Sequence, residues 1–287
     1  MRSLRELSPD EQVALLFLIL FGALLLVSAG AALYSLRDRE GRDHATWQRF
    51  LRDLRAVWIG TTTFWLAWIS GPVGSTVFFG LFSFLALREF ITLQYTRRSD
   101  HRTLILAFFI VLPLHYVIVA TRHFDLFTVF IPVYVFFAVP VVSALAGDPE
   151  RFLERNAKIQ WGIVVCVYGL SHAPALLLLD FRRYEGRGAF LLFFLVLVVG
   201  VAQVAQELAS RWLRRRPVAR HISRSFSMRA WLIGIFVAAW VGAALYWITP
   251  FKAGQALAMA AIAAGAGTLG EFVMKALKRD AGVQYWG

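Results

Sequence analysis

The 287-residue sequence contains one cysteine, Cys166, and few charged residues. A single cysteine cannot form an intrachain disulfide, and it cannot build a cysteine-based zinc site. Charged residues make up 17% of the chain, whereas soluble domains contain about 25%. The sequence also lacks repeats, low-complexity segments and polar stretches longer than residues 35–54 and 211–229. These shortages argue against a water-soluble fold.

Hydrophobic residues account for 59% of the chain, and they occur in long unbroken blocks. A block of about 18 or more apolar residues can cross the hydrocarbon core as a helix. The blocks are too long and too uniformly apolar for the strands of a membrane barrel. The sequence therefore predicts an all-α integral membrane protein, a polytopic bundle of about nine transmembrane helices at residues 11–34, 55–70, 74–92, 103–121, 125–145, 157–179, 187–210, 230–249 and 253–275.

Basic residues are unevenly divided between the two sides of the membrane, to which successive connections between spans alternately belong. Of the 30 lysines and arginines, 23 lie in the odd-numbered connections and the C-terminal tail, and seven lie on the other side. Loops rich in Lys and Arg remain in the cytoplasm. The N-terminus is therefore predicted outside and the C-terminus in the cytoplasm. Because topology accounts for the net charge of +12, no nucleic-acid partner is expected.

Two predicted spans carry polar residues on one face. In the seventh span these residues recur at i, i+3, i+4 and i+8, as Gln203, Gln206, Glu207 and Arg211. Glu207 and Arg211 are interpreted either as an ion pair at the helix end or as residues that line a site. Ionisable residues within apolar spans are functional candidates.

The ninth span ends in Glu271, Lys275 and Lys278, at i, i+4 and i+7, followed by Arg279, Asp280 and Gly282. One interpretation is a basic helix end that complements the helix dipole, with glycine ending the helix. Two histidines inside spans, His115 and His172, are interpreted as hydrogen-bonded packing residues. The seven basic residues between 211 and 229 would attract anionic lipid.

Four stretches occur in the order of motifs in a known family: 86–90 (ALREF), 157–162 (AKIQWG), 171–179 (SHAPALLLL) and 274–283 (MKALKRDAGV). With these stretches, nearly the whole sequence resembles the CDP-diacylglycerol synthases (phosphatidate cytidylyltransferases), particularly their bacterial branch. The stretch around Lys278, Arg279 and Asp280 is the most specific of the four and is called the signature below. The resemblance implies a protein of phospholipid biosynthesis in the bacterial inner membrane.

The implied reaction converts CTP and phosphatidate to CDP-diacylglycerol and pyrophosphate, with Mg²⁺ as cofactor. Such a nucleotidyltransferase needs carboxylates around a metal and cations around the phosphates. The resemblance implies catalytic roles for Lys278, Arg279 and Asp280, and metal binding by Glu271 and Asp280. The substrate-binding candidates are Ser223, Ser227, Arg211 and Glu207. CTP, phosphatidate and membrane lipid are the implied partners, and a homodimer is a further expectation.

The sequence departs from the family pattern at several of these positions. Gln203 stands where the family has aspartate, Phe226 where it has lysine, and Arg229 where it has glutamate. Within the signature region, Lys275 replaces a serine, and Gln284-Tyr285 replaces a Lys-Asp pair. The sequence ends at Gly287, before the family's Gly-His-Gly-Gly loop and later aspartates. Residues 151–287 are therefore interpreted as a partial cytidylyltransferase-like region that follows the N-terminal helices in residues 1–150.

Two functions remain open at this point. The chain is either a cytidylyltransferase or a non-catalytic homologue that binds anionic lipid or a partner protein through its basic cytoplasmic face. A transporter needs a polar path through the membrane midplane. Apart from His115 and His172, the central spans contain few polar groups. The sequence therefore disfavours transport.

Overall fold

The computed structural model describes residues 8–37, 44–180, 184–213, 218–219, 221–223 and 226–282. Within these ranges the chain forms long helical segments and no β-strand. In chain order they are α1 (Pro9–Arg37), α2 (His44–Ile69), α3 (Gly71–Thr92), α4 (Arg98–Ala120), α5 (Phe124–Ala144), α6 (Phe152–Leu177), α7 (Gly188–Leu213), α8 (Met228–Ala244) and α9 (Ala253–Asp280).

Every predicted span overlaps one of these helices. Seven of the described helices are long and apolar enough to cross a membrane. Helix α8 is apolar but shorter. The first half of α2 is rich in charged residues, among them Arg52, Asp53 and Arg55. The all-helical membrane architecture is confirmed, while the count of nine spans and their orientation stay predictions.

Local sequence signals account for where several helices begin. Ser8 and Glu11 form a capping box at the start of α1: the Ser8 N–H donates to Glu11, and the Glu11 N–H donates to the Ser8 hydroxyl. Helix α3 starts at Gly71, in a left-handed conformation with φ +68°, followed by a proline. Ser227 precedes α8, and its hydroxyl accepts the backbone N–H of Ala230 at 3.3 Å. Such a cap contributes about 1 kcal/mol.

Helices α3 to α6 pack around an apolar core, called the N-terminal core, that includes Leu87, Phe90, Ile131 and Ile163. Each of α4, α5 and α6 contains a π-helical stretch, at Leu106–Val111, Phe130–Val135 and Ile163–Gly169 respectively. Pro113, just after the first stretch, has no N–H to donate to the carbonyl one turn back. Proline therefore favours this widening of the helix in α4.

Helices α7, α8 and α9 form a second bundle with a core of small side chains, including Ala202, Ala238, Ala260 and Ala264. At Gly234 on α8, an added Cβ would lie 2.7 Å from the Ala202 carbonyl oxygen of α7. At Gly242, it would lie 2.3 Å from the Cβ of Ala260 on α9. Small residues let membrane helices approach closely, so van der Waals contact between backbones holds this bundle together.

The helix connections gather at two ends of the molecule. The signature end carries the connections after α3, α5 and α7, together with the end of α9. The opposite end carries the start of α1 and the turns after α2, α4 and α6, whose residues line one cavity. By the distribution of basic residues, the signature end is the one predicted to face the cytoplasm.

Candidate functional site

The motif stretches that are far apart in the sequence meet in the N-terminal core. Phe90 of α3 packs against Gly162 of α6, where an added Cβ would lie 2.8 Å from the Phe90 ring. Leu277, immediately before Lys278, packs against the same core, which also contains Leu87 and Ile159. Three of the four motif stretches therefore contribute to one packed unit, and this unit holds the last turn of α9 against the N-terminal helices.

The last turn of α9 presents its charged residues to solvent. Arg279 and Asp280 are exposed, and Lys278 is half-buried. Within the described ranges, none of these three side chains has an ion pair or a hydrogen bond. Gly282 follows in a left-handed conformation, φ +70°, and its N–H donates to the Arg279 carbonyl. The expected glycine stop is thus present, and the described residues place two cations without an anionic partner near the C-terminus of a helix, where the dipole favours positive charge.

Glu271 is already occupied by a neighbouring cation. The Nζ atom of Lys275 lies 2.7 Å from a carboxylate oxygen of Glu271, one turn earlier on α9. Both side chains are about 40% exposed, at 38% for Lys275 and 40% for Glu271. Because the family pattern has serine at position 275, this ion pair is a departure of the present sequence.

The connection before α8 packs against α9 through two aromatic rings. Phe226 is buried, and its ring centroid lies 4.5 Å from that of Phe272. Such aromatic pairs contribute about 0.5–1.5 kcal/mol beyond the area they bury. The Val218 N–H donates to the Phe226 carbonyl at 3.0 Å, which closes the connection onto itself. At the position where the family pattern has a phosphate-binding lysine, this chain therefore has a packing residue.

The two predicted substrate-binding serines are both buried. Ser223 donates its backbone N–H to the Ala219 carbonyl at 2.9 Å. Ser227 accepts the capping hydrogen bond at the start of α8. Arg229, whose family counterpart is glutamate, is exposed two residues later. Ser227 is thus engaged in folding, and its role toward a substrate stays a prediction.

The polar face of α7 divides into a surface pair and a buried amide. Arg211 Nη2 lies 2.5 Å from Glu207 Oε1, with both side chains more than half exposed. These residues form the helix-end ion pair that was one of the two interpretations. Gln206 is buried against α8 beside Gly234, and its Oε1 has no partner in the described part of the chain. Gln203, one turn earlier, is half-buried.

Contacts between helices bring these stretches to the same end of the second bundle. Gln206 of α7 lies against Gly234 of α8. Trp231 of α8 donates its indole N–H to Thr268 Oγ1 of α9 at 2.9 Å. The structure thus assembles residues 203–211, 226–231 and 268–280 around one region. The predicted substitutions at Gln284 and Tyr285, and the end at Gly287, lie outside the described residues.

The described residues do not form a two-carboxylate metal site. Glu271 and Asp280 are nine residues apart on one continuous helix, a rise of roughly 13 Å. Two carboxylates that share one ion, or clamp two ions about 4 Å apart, must lie much closer. Among the described residues, no group of three or more His, Cys, Asp or Glu side chains is placed to hold a metal. Glu271 and Asp280 are therefore separate features, and no catalytic step is derived through a metal bound by them.

A buried ion-pair network that the sequence pattern does not indicate lies at the signature end. Arg155, at the start of α6, is 3% exposed. Its Nε lies 3.2 Å from Asp100 Oδ1, and its Nη1 lies 2.7 Å from Asp148 Oδ2. Arg97 also contacts Asp148, at 3.3 Å, and pairs with Glu150. The network joins the start of α4 and the connection before α6 to the start of α6. In the sequence, Arg155 is only one of the 23 basic residues on the predicted cytoplasmic side.

The two histidines lie outside this region. His115 Nε2 is 2.9 Å from the Ser171 hydroxyl, and its ring stacks on Phe127 at 5.0 Å. His172 Nδ1 donates to the Tyr168 carbonyl at 2.7 Å, and the two rings are in edge contact at 4.7 Å. Both histidines are thus hydrogen-bonded and in ring contact, as predicted, with His115 buried and His172 exposed.

Comparison with known proteins agrees with the motif pattern. The sequence profile of the cytidylyltransferase family matches residues 50–287. The chain is 33% identical over 279 residues to Uncharacterized protein YnbB of Escherichia coli (strain K12), covering 96% of this chain and 88% of that protein. No solved structure matches the chain. The family match spans most of the sequence and includes every stretch assembled at the signature end, and so the chain belongs to the cytidylyltransferase family.

Proposed function

We propose that this protein is a phosphatidate cytidylyltransferase-type enzyme of phospholipid biosynthesis, which acts with its signature end at the cytoplasmic face of a bacterial inner membrane. The observation that carries the proposal is the packing of Leu277 against the core formed by the other motif stretches. Because Leu277 packs there, the neighbouring Lys278 and Arg279 lie where the helix meets the surface, which supports the proposal. Family membership supplies the reaction class.

In the proposed reaction, a phosphate oxygen of phosphatidate attacks the α-phosphorus of CTP. A new P–O bond forms to the lipid phosphate, the bond between the α- and β-phosphates breaks, and pyrophosphate leaves. Negative charge accumulates on the attacking and leaving oxygens, so cations held near them lower the barrier. Lys278 and Arg279 are assigned this role, and Asp280, exposed beside them without a side-chain partner among the described residues, stays a predicted catalytic residue.

The lipid substrate would reach these residues along the membrane surface. Arg211 and Arg229 lie at the ends of α7 and α8 beside the same region, and both are exposed. Cations near the surface attract anionic lipid by about 1 kcal/mol each. Mg²⁺ is proposed as part of the nucleotide substrate, carried on the phosphates of CTP.

A second function, binding of phosphatidate without catalysis, is favoured by two specific contacts. Lys275 neutralises Glu271, and Phe226 is buried on Phe272 where the family pattern has a lysine. Gln203 adds a neutral side chain where that pattern has aspartate. Losing one metal-binding or phosphate-binding group typically reduces an enzyme's rate by orders of magnitude. These contacts leave the cationic surface intact, which is sufficient for binding.

The two functions are separated by one assay on the purified full-length protein. Labelled CTP and phosphatidate are incubated with Mg²⁺, and CDP-diacylglycerol is measured for wild type, for Lys278→Ala/Arg279→Ala and for Lys252→Ala. Lys252 is an exposed lysine at the opposite end. If the protein is an enzyme, the wild type should form CDP-diacylglycerol. Its rate of formation should fall about 100-fold in the double variant and stay unchanged in Lys252→Ala.

Binding to vesicles with and without phosphatidate is measured on the same proteins. No product from wild type, together with phosphatidate binding that the double variant loses, would establish the non-catalytic function. Neither product nor phosphatidate-dependent binding from folded protein would contradict both proposals. A Glu271→Ala variant then tests the predicted metal ligand separately, since its loss should reduce turnover without reducing vesicle binding.

A further inference from the structure

A second concave site lies at the opposite end of the molecule, away from the signature. The start of α1 and the turns after α2, α4 and α6 line an open cavity of about 470 Å³. Volumes of about 300–1,000 Å³ are typical of small-molecule sites. The proposed cytidylyltransferase chemistry uses no residue of this cavity.

Three turns in unusual backbone conformations build the cavity wall. Gly71 and Gly186 have φ values of +68° and +72°, and Arg122 has a φ of +58°. At Arg122, the His123 N–H donates to the Ile118 carbonyl and the Arg122 N–H donates to the Val119 carbonyl. This pattern is a Schellman motif, in which the left-handed position is usually glycine. An arginine held there is strained, and such strain clusters at ligand sites.

Arg122 is the one basic side chain in the described part of the cavity lining, and it forms an ion pair with Asp180. Arg122 Nη1 donates to Asp180 Oδ2 at 2.5 Å, and Asp180 Oδ1 also accepts the Gly186 N–H at 3.5 Å. Asp10 and Glu185 also line the cavity, are exposed, and have no side-chain partner among the described residues. Arg187 instead lies over the Tyr184 ring, 5.9 Å from its centroid. Asp10 and Glu185 are therefore the two carboxylates of the described lining that are available to pair with a cation.

The chemistry of the lining selects an organic cation over a metal ion. No group of three or more potential metal ligands is assembled anywhere in the described chain. The rest of the wall is largely apolar and includes Ala67, Trp68, Leu177 and Leu178. An indole face favours an ammonium group, and apolar side chains favour hydrocarbon. Arg122 uses one of its N–H groups on Asp180, which leaves other donors for an anionic oxygen.

We propose that this cavity binds an ammonium group, supplied by the headgroup of an aminophospholipid. The ammonium would lie between Asp10 and Glu185, and the phosphodiester would meet the free N–H groups of Arg122. Attachment to a lipid accounts for the apolar wall at the end of a membrane helix bundle. The proposal is independent of the cytidylyltransferase function. It concerns the other end of the protein, and carboxylates there would contact an ammonium group, whereas Lys278 and Arg279 would contact phosphate.

The test is native mass spectrometry of the purified full-length protein in detergent with short-chain lipids. Phosphatidylethanolamine should bind about tenfold more tightly than phosphatidylglycerol, which has no ammonium. Asp10→Asn/Glu185→Gln should abolish this preference. Asp125→Asn, an exposed carboxylate at the start of α5 outside the cavity, should keep it. The melting temperature of each variant shows whether it is folded.

Equal binding of the two lipids by folded wild type, or a preference that survives in the double variant, would overturn the proposal. A second experiment measures whether free ethanolamine displaces the bound lipid. If it displaces the lipid only at concentrations far above the lipid dissociation constant, the lipid headgroup is supported as the source. If ethanolamine alone binds as tightly as the lipid, the ammonium site stands and the lipid source is overturned. Displacement of the lipid by Mg²⁺ at lower concentration than by ethanolamine would overturn the preference for an amine.

Discussion

The ammonium of Lys275 lies 2.7 Å from the carboxylate of Glu271, one turn away on α9. Glu271 is the residue for which family resemblance implies metal binding, and serine is the family residue at position 275. A lysine at this position holds the carboxylate in an ion pair and places a positive charge where a divalent cation would approach. The pair is accessible to solvent, so it contributes little to stability.

Replacing Lys275 with serine is expected to release Glu271. The affinity for Mn²⁺, a spectroscopic substitute for Mg²⁺, should rise by roughly threefold to tenfold, because a like charge is removed close to the ligand. Paramagnetic resonance of the purified protein would measure it. Lys158→Ser breaks the corresponding 2.8 Å pair with Glu154 on α6 and is the matched control. Unchanged Mn²⁺ affinity in Lys275→Ser would remove Glu271 from the candidate metal ligands.

The buried network around Arg155 gives a prediction about stability. Arg155→Gln would leave Asp100, which is 1% exposed, without its cationic partner. Removing one member of a buried ion pair costs about 3–5 kcal/mol, because the remaining charge is desolvated without compensation. Arg151→Gln, which breaks an exposed pair with Glu154, is the control and should cost less than about 1 kcal/mol. Reversible unfolding in mixed micelles would measure both changes.

Asp148 makes the same network sensitive to acid. The Ser99 hydroxyl and the Arg155 guanidinium donate to Asp148, and together they lower the pKa of its carboxyl from 3.8 to about 2. A lowered pKa in the folded state means that the ionised carboxylate stabilises the fold above its ordinary pKa. This contribution is lost as the pH falls from about 4 through about 2.

The melting temperature of wild type should therefore fall more steeply between pH 4 and pH 2 than that of Asp148→Asn. In Ser99→Ala the decline should be smaller and should end at higher pH, because loss of this donor brings the folded-state pKa of Asp148 closer to its ordinary value. Asp53, an exposed carboxylate in α2, supplies the control Asp53→Asn, which should follow the wild-type curve. Parallel curves for wild type and Asp148→Asn would show that ionised Asp148 does not contribute to the stability of the fold.

Much of the fold was predictable because membrane spans are long apolar blocks whose ends are marked by charge. The helix boundaries observed for α3, α5 and α7 lie within a few residues of the predicted spans. The stop at Gly282 and the ion pair of Glu207 with Arg211 were predictable because both depend on neighbours in the sequence. Local rules of helix geometry are sufficient for such features.

Contacts between distant residues were not predictable from one sequence. Nothing in the pattern around Arg155 indicates that it pairs with Asp100, 55 residues earlier, because neither residue stands out from the other charges of the polar connections. The packing of Phe226 on Phe272 likewise depends on how the connection before α8 folds back onto α9. The cavity at the opposite end is formed by four separated segments, so no local pattern could identify it.

Close packing in the second bundle gives the last prediction. Gly234→Ala would place a methyl group 2.7 Å from the Ala202 carbonyl oxygen, so α7 and α8 must move apart. Overpacking of this kind costs about 1–3 kcal/mol. Gly200→Ala on α7, whose added Cβ would meet nothing within 4 Å, should instead be neutral or stabilising by up to about 1 kcal/mol. Because Gln206 lies beside Gly234, separation of the helices would also displace residues 203–211 from the signature end. Thermal unfolding of both variants measures the change in stability, and the CTP assay on the folded fraction measures the change in activity. Loss of both in Gly234→Ala would support a role of the bundle in positioning the site. Loss of stability with full activity would show that the bundle does not position it.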